Sequence, residues 1–283
     1  MENTNTLRVI NKRSWRMGFT NLFNANNTKY WHTKKWIVQT VFWLLFVNGM
    51  LAVMIWSISA EQVPKAFASL VSINDMKAVQ QNPLASILME FLAMYALALP
   101  IGAIIAGQDS IIGERQSGTA AWVLSKPVSR PAFVLSKLAS SAMGILITGV
   151  VIQGVVAYIQ LSLRIGAPWP IAGFLGVMGL ILLSLFFYIT LTYMLGAIFA
   201  SRGAILGISL GVALMGPSML RSMPFIKDIT PWTFFIPALE EVPVGLSLAF
   251  GQSPQLIVTI ICTALFSLLF TVITLLRFRR EEF

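Results

Sequence analysis

Few side chains in this sequence could act as acids, bases or metal ligands. The 283 residues include one histidine, His32, and one cysteine, Cys262. A protein zinc site needs several such ligands, so this chain alone cannot build a Cys/His cage. No G-x-x-x-x-G-K-[ST] loop, which would cradle nucleotide phosphates, occurs in the sequence. We therefore expect no catalytic residue, no metal site and no cofactor in this chain.

Glu90 is the one ionisable residue that lies clearly within a long apolar stretch. A charged side chain at the centre of a bilayer costs about 2.5–3.5 kcal/mol on insertion scales, so such a residue marks function by default. Glu90 could contact a substrate or gate a pathway. Alternatively, it is a carboxylate near the membrane surface, or one that a neighbouring hydroxyl caps. No second ionisable group at membrane depth could relay a proton with it, which argues against proton-driven transport.

The surrounding chain is strongly apolar. Hydrophobic residues make up 57% of it and charged residues 11%, with a mean hydropathy of +0.78. Soluble domains are about 45–50% apolar and about 25% charged, so a soluble enzyme, a disordered protein and a coiled coil are all excluded. The alternation typical of membrane strands is absent. The sequence therefore predicts an all-α polytopic membrane protein.

Six apolar stretches are long enough to cross a bilayer core of about 30 Å. They form one predicted membrane domain over residues 37–276, between an amphipathic N-terminal arm at 1–36 and a tail at 277–283. The predicted membrane spans are 37–56, 84–106, 132–161, 171–200, 203–223 and 255–276.

The basic residues divide unevenly between the two sides of this arrangement. Of the 20 Lys and Arg residues, 15 fall on the side that holds both termini and five on the other side. Basic residues favour the cytoplasmic face of a membrane, so both termini are expected in the cytoplasm. This bias also explains the net charge of +9 without a nucleic-acid partner.

The segment from Pro224 to Pro254, between spans five and six, is too apolar for a free loop. Four prolines at 224, 231, 237 and 243 break it into short pieces. Irregular backbone at membrane depth is tolerated only where protein covers it or where it lines a cavity. The segment is therefore predicted to form a re-entrant or interfacial helical hairpin. The alternative is an extension of the sixth helix along the outer surface.

The loop between spans two and three is the main polar insertion on the cytoplasmic side. A short helix is predicted over Ser110–Leu124, and Pro127 and Pro131 end it. A short rigid helix joined to two spans could act as a lever, because force on it would move both spans. The alternative is an ordinary amphipathic connector.

Two other stretches suggest contacts with a membrane or another helix. Trp15, Arg16 and Phe19 lie in the arm, where the aromatic residues cluster on one face of a helical wheel and predict an interfacial helix. Gly203, Gly207 and Gly211 form a small-x-x-x-small series in span five. Such a series lets two helices approach closely, either with a partner chain or within one bundle.

Between Glu114 and Lys137 the loop reads E-x-x-x-G-T-x-x-x-x-L-S-x-P-V-S-R-x-x-x-x-x-x-K. This pattern resembles the ABC-2 type permeases, the membrane subunits of a class of ATP-binding-cassette exporters. The whole architecture is also similar to that family, with its basic arm, six spans, this loop and a half-buried segment between spans five and six.

The resemblance implies that the loop is a coupling helix that docks on a separate cytosolic ATPase, which binds ATP and Mg²⁺. It also implies a second permease copy or a homologous permease, contacts with membrane lipids, and a multi-pass location in a cell membrane, here of a bacterium. The implied coupling residues are Glu114, Arg115, Gly118, Thr119, Trp122, Ser125, Lys126, Pro127 and Arg130.

Two functions stay open on this basis. The first is the permease subunit of an ATP-driven transporter that exports a lipid, an amphipathic peptide or a drug-like molecule. The second is a membrane anchor or sensor that recruits a cytosolic partner without transport, since the spans contain few polar residues.

Overall fold

The computed structural model describes residues 16–220, 223–237, 241–253 and 257–280, apart from the side chains of Lys35, Asp109, Arg115 and Pro224. The structure is 83% helical, and these described residues contain no strand. Six of the helices are long and apolar enough to cross a membrane. The predicted all-α fold with six transmembrane helices is therefore confirmed.

We call the six membrane helices span one to span six in chain order. The arm helix, Phe19–His32, precedes span one, and the loop helix, Thr119–Leu124, lies between spans two and three. The side of the bundle that holds the loop helix is called the loop side, and the opposite one the far side. The spans are Trp36–Ser57, Pro83–Gln116, Arg130–Ile165, Ile171–Ile198, Arg202–Met219 and Ile257–Arg279.

Span two continues beyond its predicted end at residue 106 as far as Gln116. The prediction of one short helix over Ser110–Leu124 is therefore wrong, because the first half of this stretch belongs to span two. The break falls at Gly118, which has a φ of +73°. Glycine adopts this left-handed conformation without the steric cost that a Cβ would bring.

Span four is the central helix of the bundle. In its most apolar stretch 56% of the residues are buried, whereas the corresponding share is 28% in span one and 22% in spans five and six. It packs mainly against spans two and six. Spans one, five and six instead expose many large apolar side chains. Such surfaces suit contact with lipid or with another membrane helix.

A buried polar pair joins spans one and three. Both spans contain a π-helical turn, over Leu44–Asn48 and Leu146–Val151. Asn48 Nδ2 donates a hydrogen bond of 2.7 Å to Gln153 Oε1, and both side chains are buried. Polar groups at membrane depth must find partners within the protein, so this pair fixes the alignment of the two spans.

The segment between spans five and six folds back onto the far side of the bundle. It forms two 3₁₀ turns, Pro224–Asp228 and Pro231–Phe234, and a short helix, Val244–Ala249. A proline begins each turn, where its missing N–H costs nothing. Aromatic side chains of the second turn are buried in the protein. A hairpin stays a prediction, because residues 238–240 lie outside the described part of the chain.

Candidate functional site

The candidate site is the connection between spans two and three. After the loop helix, Ser129 takes an extended conformation, and its Oγ accepts a hydrogen bond of 3.2 Å from the N–H of Ala132. Ser129 is therefore the N-cap of span three. Pro131 follows in the first turn, where the helix needs no N–H from it. The local sequence thus determines where the connection ends and the span begins.

Glu114 ties the end of span two to the start of span three. Its Oε1 lies 2.5 Å from Lys137 Nζ, and the side chains of Lys137 and Glu114 are 10% and 24% exposed. Removing one partner of an ion pair so far removed from water would leave the other charge buried without compensation, which destabilises the protein. The sequence predicts Glu114 as an ATPase contact, whereas its carboxylate lies against Lys137 in this structure. A docking role for Glu114 stays a prediction.

The arm lies directly against the connection. The N–H of Ser129 donates a hydrogen bond of 3.1 Å to the C=O of Met17. Gly18 has a φ of +83°, and a Cβ at this position would lie 2.9 Å from Val128 Cγ2. Glycine suits this combination of a left-handed backbone and a close approach. The arm helix then packs along span three, so the arm and the connection form one structural unit.

The end of span six also contacts the connection. Arg130 Nη1 donates a hydrogen bond of 2.6 Å to the C=O of Arg279. The rings of Phe133 and Phe278 stack with their centroids 5.4 Å apart. The last carbonyl groups of a helix lack partners within the helix and carry partial negative charge, so a guanidinium is a favourable partner there.

The loop helix presents a large aromatic side chain to solvent. Trp122 is 62% exposed, and Lys126 Nζ lies 3.7 Å from the centroid of one of its rings. Ser125 Oγ donates a hydrogen bond of 2.7 Å to the C=O of Trp122, and Pro127 is exposed beside them. Tryptophan is among the residues that contribute most to binding at protein interfaces. This exposed face is therefore a surface on which a partner protein could dock.

The remaining predicted coupling residues lie at the break before the loop helix. Among the atoms that the structure describes, none lies within 4 Å of a Cβ added at Gly118. Thr119 Oγ1 lies 2.8 Å from Ser117 Oγ. Arg115 belongs to the helix of span two, but its side chain lies outside the described part of the structure.

The arm residues predicted to lie at the membrane surface are described in part. Phe19 and Phe23 stack with their ring centroids 6.1 Å apart, and no described side chain of the arm helix is buried. An aromatic face outside the protein core fits a helix that lies in a membrane interface. Arg16 is exposed. Trp15 lies outside the described residues.

The glycine row lies on the surface of span five. No described atom lies within 4 Å of a Cβ added at Gly207 or Gly211, and the nearest described atom to Gly203 is Ser201 Oγ at 3.6 Å. Among the described residues, this row therefore does not bring another span of the same chain into close contact. The alternative that remains is contact with a separate helix.

The same stretch also spells G-x-S-x-G, the letters of a hydrolase nucleophile motif, at Gly207–Gly211. That motif requires a serine exposed at a sharp turn between a strand and a helix. Ser209 is instead fully buried within span five, and Thr192 Oγ1 lies 3.4 Å from its Oγ. The match therefore carries no catalytic function.

Glu90 lies on the exposed surface of span two, near its far-side end. In the part of the chain that the structure describes, no hydroxyl caps its carboxylate. Within the same residues, no group of three or more His, Cys, Asp or Glu side chains could hold a metal ion. A role of Glu90 in a pathway or gate stays a prediction.

Sequence reasoning missed the residues that hold the connection from outside, namely Gly18, Phe278 and Arg279. Gly18 carries a usable signal, because glycine is a favoured residue just before a helix. The contact between Arg130 and Arg279 joins residues 149 positions apart. Only the packing of span six against span three brings them together, so no local pattern could indicate it.

Comparison with known families gives an independent result. A family model described as "ABC-2 family transporter protein" matches residues 32–283, which covers all six spans and the connection between spans two and three. A search of curated proteins found no match.

Proposed function

The chain belongs to the ABC-2 transporter family, and on this basis we propose that it is the permease subunit of an ATP-driven exporter. Membership identifies it as a membrane transport subunit rather than an enzyme. In our proposal, a separate ABC ATPase binds ATP and Mg²⁺ in the cytoplasm and docks on the loop helix. The loop side is then cytoplasmic. The cargo is a lipid, an amphipathic peptide or a drug-like molecule.

The observation that carries the proposal is how the connection is attached. The stretch after the loop helix is hydrogen-bonded to the arm through Met17 and to span six through Arg279. The Glu114–Lys137 ion pair binds spans two and three together beside it. A push on the exposed face would therefore move the arm and spans two, three and six together, because packed elements transmit displacement as rigid bodies.

The proposal predicts that Trp122→Ala weakens ATPase binding by about tenfold, as loss of an aromatic interface anchor does. Trp122 is exposed and belongs to no core cluster, so the variant should fold normally. The measurement is co-purification of the ATPase with the permease, together with the affinity of the purified ATPase for the permease in nanodiscs.

Trp56→Ala is the matched control for this experiment. Trp56 is 61% exposed, against 62% for Trp122, and it also lies beside a cation, Arg164, but on the far side of the bundle. Equal ATPase binding by the two variants would refute docking at the loop helix. Normal docking without any ATP-dependent transport would favour an anchor or sensor instead.

A second copy of the chain, or a homologous permease, is proposed to pack against the glycine row of span five. Gly207→Leu should then lower the fraction of dimer at a given protein density about tenfold, because small residues permit the close contact on which membrane helices associate. The measurement is single-molecule photobleaching in liposomes over a range of protein-to-lipid ratios.

Gly179→Leu is the control for this dimer prediction. Gly179 is also an exposed glycine within a span, and in the described part of the chain no atom lies within 4 Å of a Cβ added there. The two variants therefore add the same apolar bulk to open membrane-facing surfaces. If Gly207→Leu dimerises as well as Gly179→Leu, the interface lies elsewhere.

A further inference from the structure

A cavity of about 550 Å³, lined mostly by polar residues, lies on the loop side between the arm helix, the start of the loop helix and spans one to five. It is an open cavity formed by one chain, and it is separate from the exposed glycine row and from Trp122. Side chains from these elements converge on it, among them Lys29 and Tyr30 from the arm, Ser110 from span two, Lys137 from span three and Tyr193 from span four.

The described walls of this cavity carry more positive than negative charge. Lys29, Lys137 and Arg202 line it, together with one carboxylate, Glu114. Glu114 is already paired with Lys137 at 2.5 Å. Lys29 is exposed at the arm helix and makes no ion pair with another described residue. An entering anion would therefore meet the charge of Lys29, which no described carboxylate neutralises.

Hydroxyl groups supply hydrogen-bond donors on the same walls. Tyr193 Oη and Ser141 Oγ lie 2.8 Å apart, and Ser140, Ser110 and Tyr30 are close by on the lining. A phosphate group offers several acceptor oxygens and binds well to lysine ammonium groups combined with hydroxyl donors. The lining therefore matches a phosphate better than it matches a cation or an apolar molecule.

The position of the apolar lining indicates the rest of the ligand. Ile145 lies about two helical turns beyond Lys137 along span three, and Ile189 lies a similar distance inside span four. The polar part of the cavity is thus at the depth of lipid headgroups, and the apolar part extends towards the hydrocarbon. A phosphate attached to an acyl chain would satisfy both parts.

We propose that this cavity binds a phosphate-bearing anion, namely the headgroup of an anionic lipid of the adjacent leaflet. A free phosphate compound would share the headgroup chemistry, so the experiment separates the two sources. Ser117 and Thr119 also line the cavity. A bound headgroup would therefore bridge the arm and the start of the loop helix. The inference goes beyond the transport function and needs no ATPase.

The test uses the full chain in nanodiscs of mixed phosphatidylglycerol and phosphatidylcholine. Native mass spectrometry counts the molecules of each lipid that stay bound. We expect a preference for phosphatidylglycerol that Lys29→Gln reduces about fivefold, since one basic residue contributes about that much to binding of anionic lipid. Lys29→Glu should reduce the preference further.

Lys34→Gln is the matched control, because Lys34 is also exposed, follows the arm helix closely and does not line the cavity. A second measurement asks whether inorganic phosphate, compared with chloride at equal ionic strength, raises the unfolding temperature of the lipid-free protein. Stabilisation by phosphate that Lys29→Gln abolishes would support the site with a soluble source. Equal lipid preference in the Lys29 and Lys34 variants, together with no effect of phosphate, would overturn the proposal.

Discussion

Replacing Gly216 by alanine is expected to destabilise the protein by about 3 kcal/mol, the upper end of the usual range for overpacking. Gly216 is buried in span five, against the indole of Trp232. A Cβ on Gly216 would lie only 1.8 Å from Trp232 Cζ2. The ring cannot move aside without cost, because it is buried and its Nε1 donates a hydrogen bond of 2.9 Å to Tyr188 Oη.

The measurement is the unfolding midpoint of the detergent-purified protein, which should fall by roughly 6–10 °C. Gly179→Ala is the control, since Gly179 lies within span four, away from the proposed dimer contact, and no described atom lies within 4 Å of its added Cβ. Alanine favours a helix by about 1 kcal/mol over glycine, so this control should be neutral or slightly stabilised. Equal unfolding midpoints for the two variants would show that span five does not pack closely against Trp232.

A second substitution separates this clash from any other effect of alanine at position 216. Trp232→Leu removes the ring that the new Cβ would meet, at the cost of its own packing. In that background, Gly216→Ala should cost far less than in the natural sequence, which gives a large coupling energy in the double-mutant cycle. If the two costs simply add, the close approach is not the cause.

The contact between Gly216 and Trp232 joins three parts of the fold. Trp232 belongs to the segment between spans five and six, while Tyr188 lies in span four and Gly216 in span five. The segment is therefore held to the central helix and to the helix that carries the exposed glycine row. Motion of span five would therefore move this far-side segment with it.

The membrane helices could be predicted from sequence because each depends on local composition alone. Apolar length gives the spans, and the fold confirms all six. The S-R-P sequence at Ser129–Pro131 contains a helix cap and a favoured first-turn proline, so the start of span three is also encoded locally. By contrast, the predicted end of span two at residue 106 is wrong, because the residues after it are polar and resemble a loop although the helix continues to Gln116.

Contacts between distant residues could not be predicted in this way. Glu114 and Lys137 are 23 positions apart, and their pairing depends on how spans two and three lie side by side. The cavity on the loop side depends on seven elements at once, namely the arm helix, the loop helix and spans one to five. The loop motif indicates which residues matter, but only the packing shows that Glu114 points into the protein and Trp122 away from it.

Because Glu114 points inward, a substitution that breaks its ion pair with Lys137 is expected to have the second large effect on stability. Glu114→Ala should destabilise the protein by about 3 kcal/mol, because it leaves a lysine charge that is only 10% exposed without its partner. Lys137→Met should cost less. It removes the more buried charge and leaves Glu114, which is 24% exposed and can still reach water.

The double charge reversal Glu114→Lys with Lys137→Glu provides the control. It keeps the pair but exchanges its signs, so it should recover most of the stability that Glu114→Ala loses, measured as the unfolding midpoint in detergent.

The same variants test whether the loop acts as a lever between spans two and three. If the pair transmits force between spans two and three, Glu114→Ala should uncouple ATP hydrolysis from transport even at temperatures where it is folded, and the charge reversal should restore coupling. If folded Glu114→Ala still couples ATP hydrolysis to transport, the ion pair only stabilises the protein. Force would then be transmitted through Ser129, Arg130 and their partners in the arm and span six.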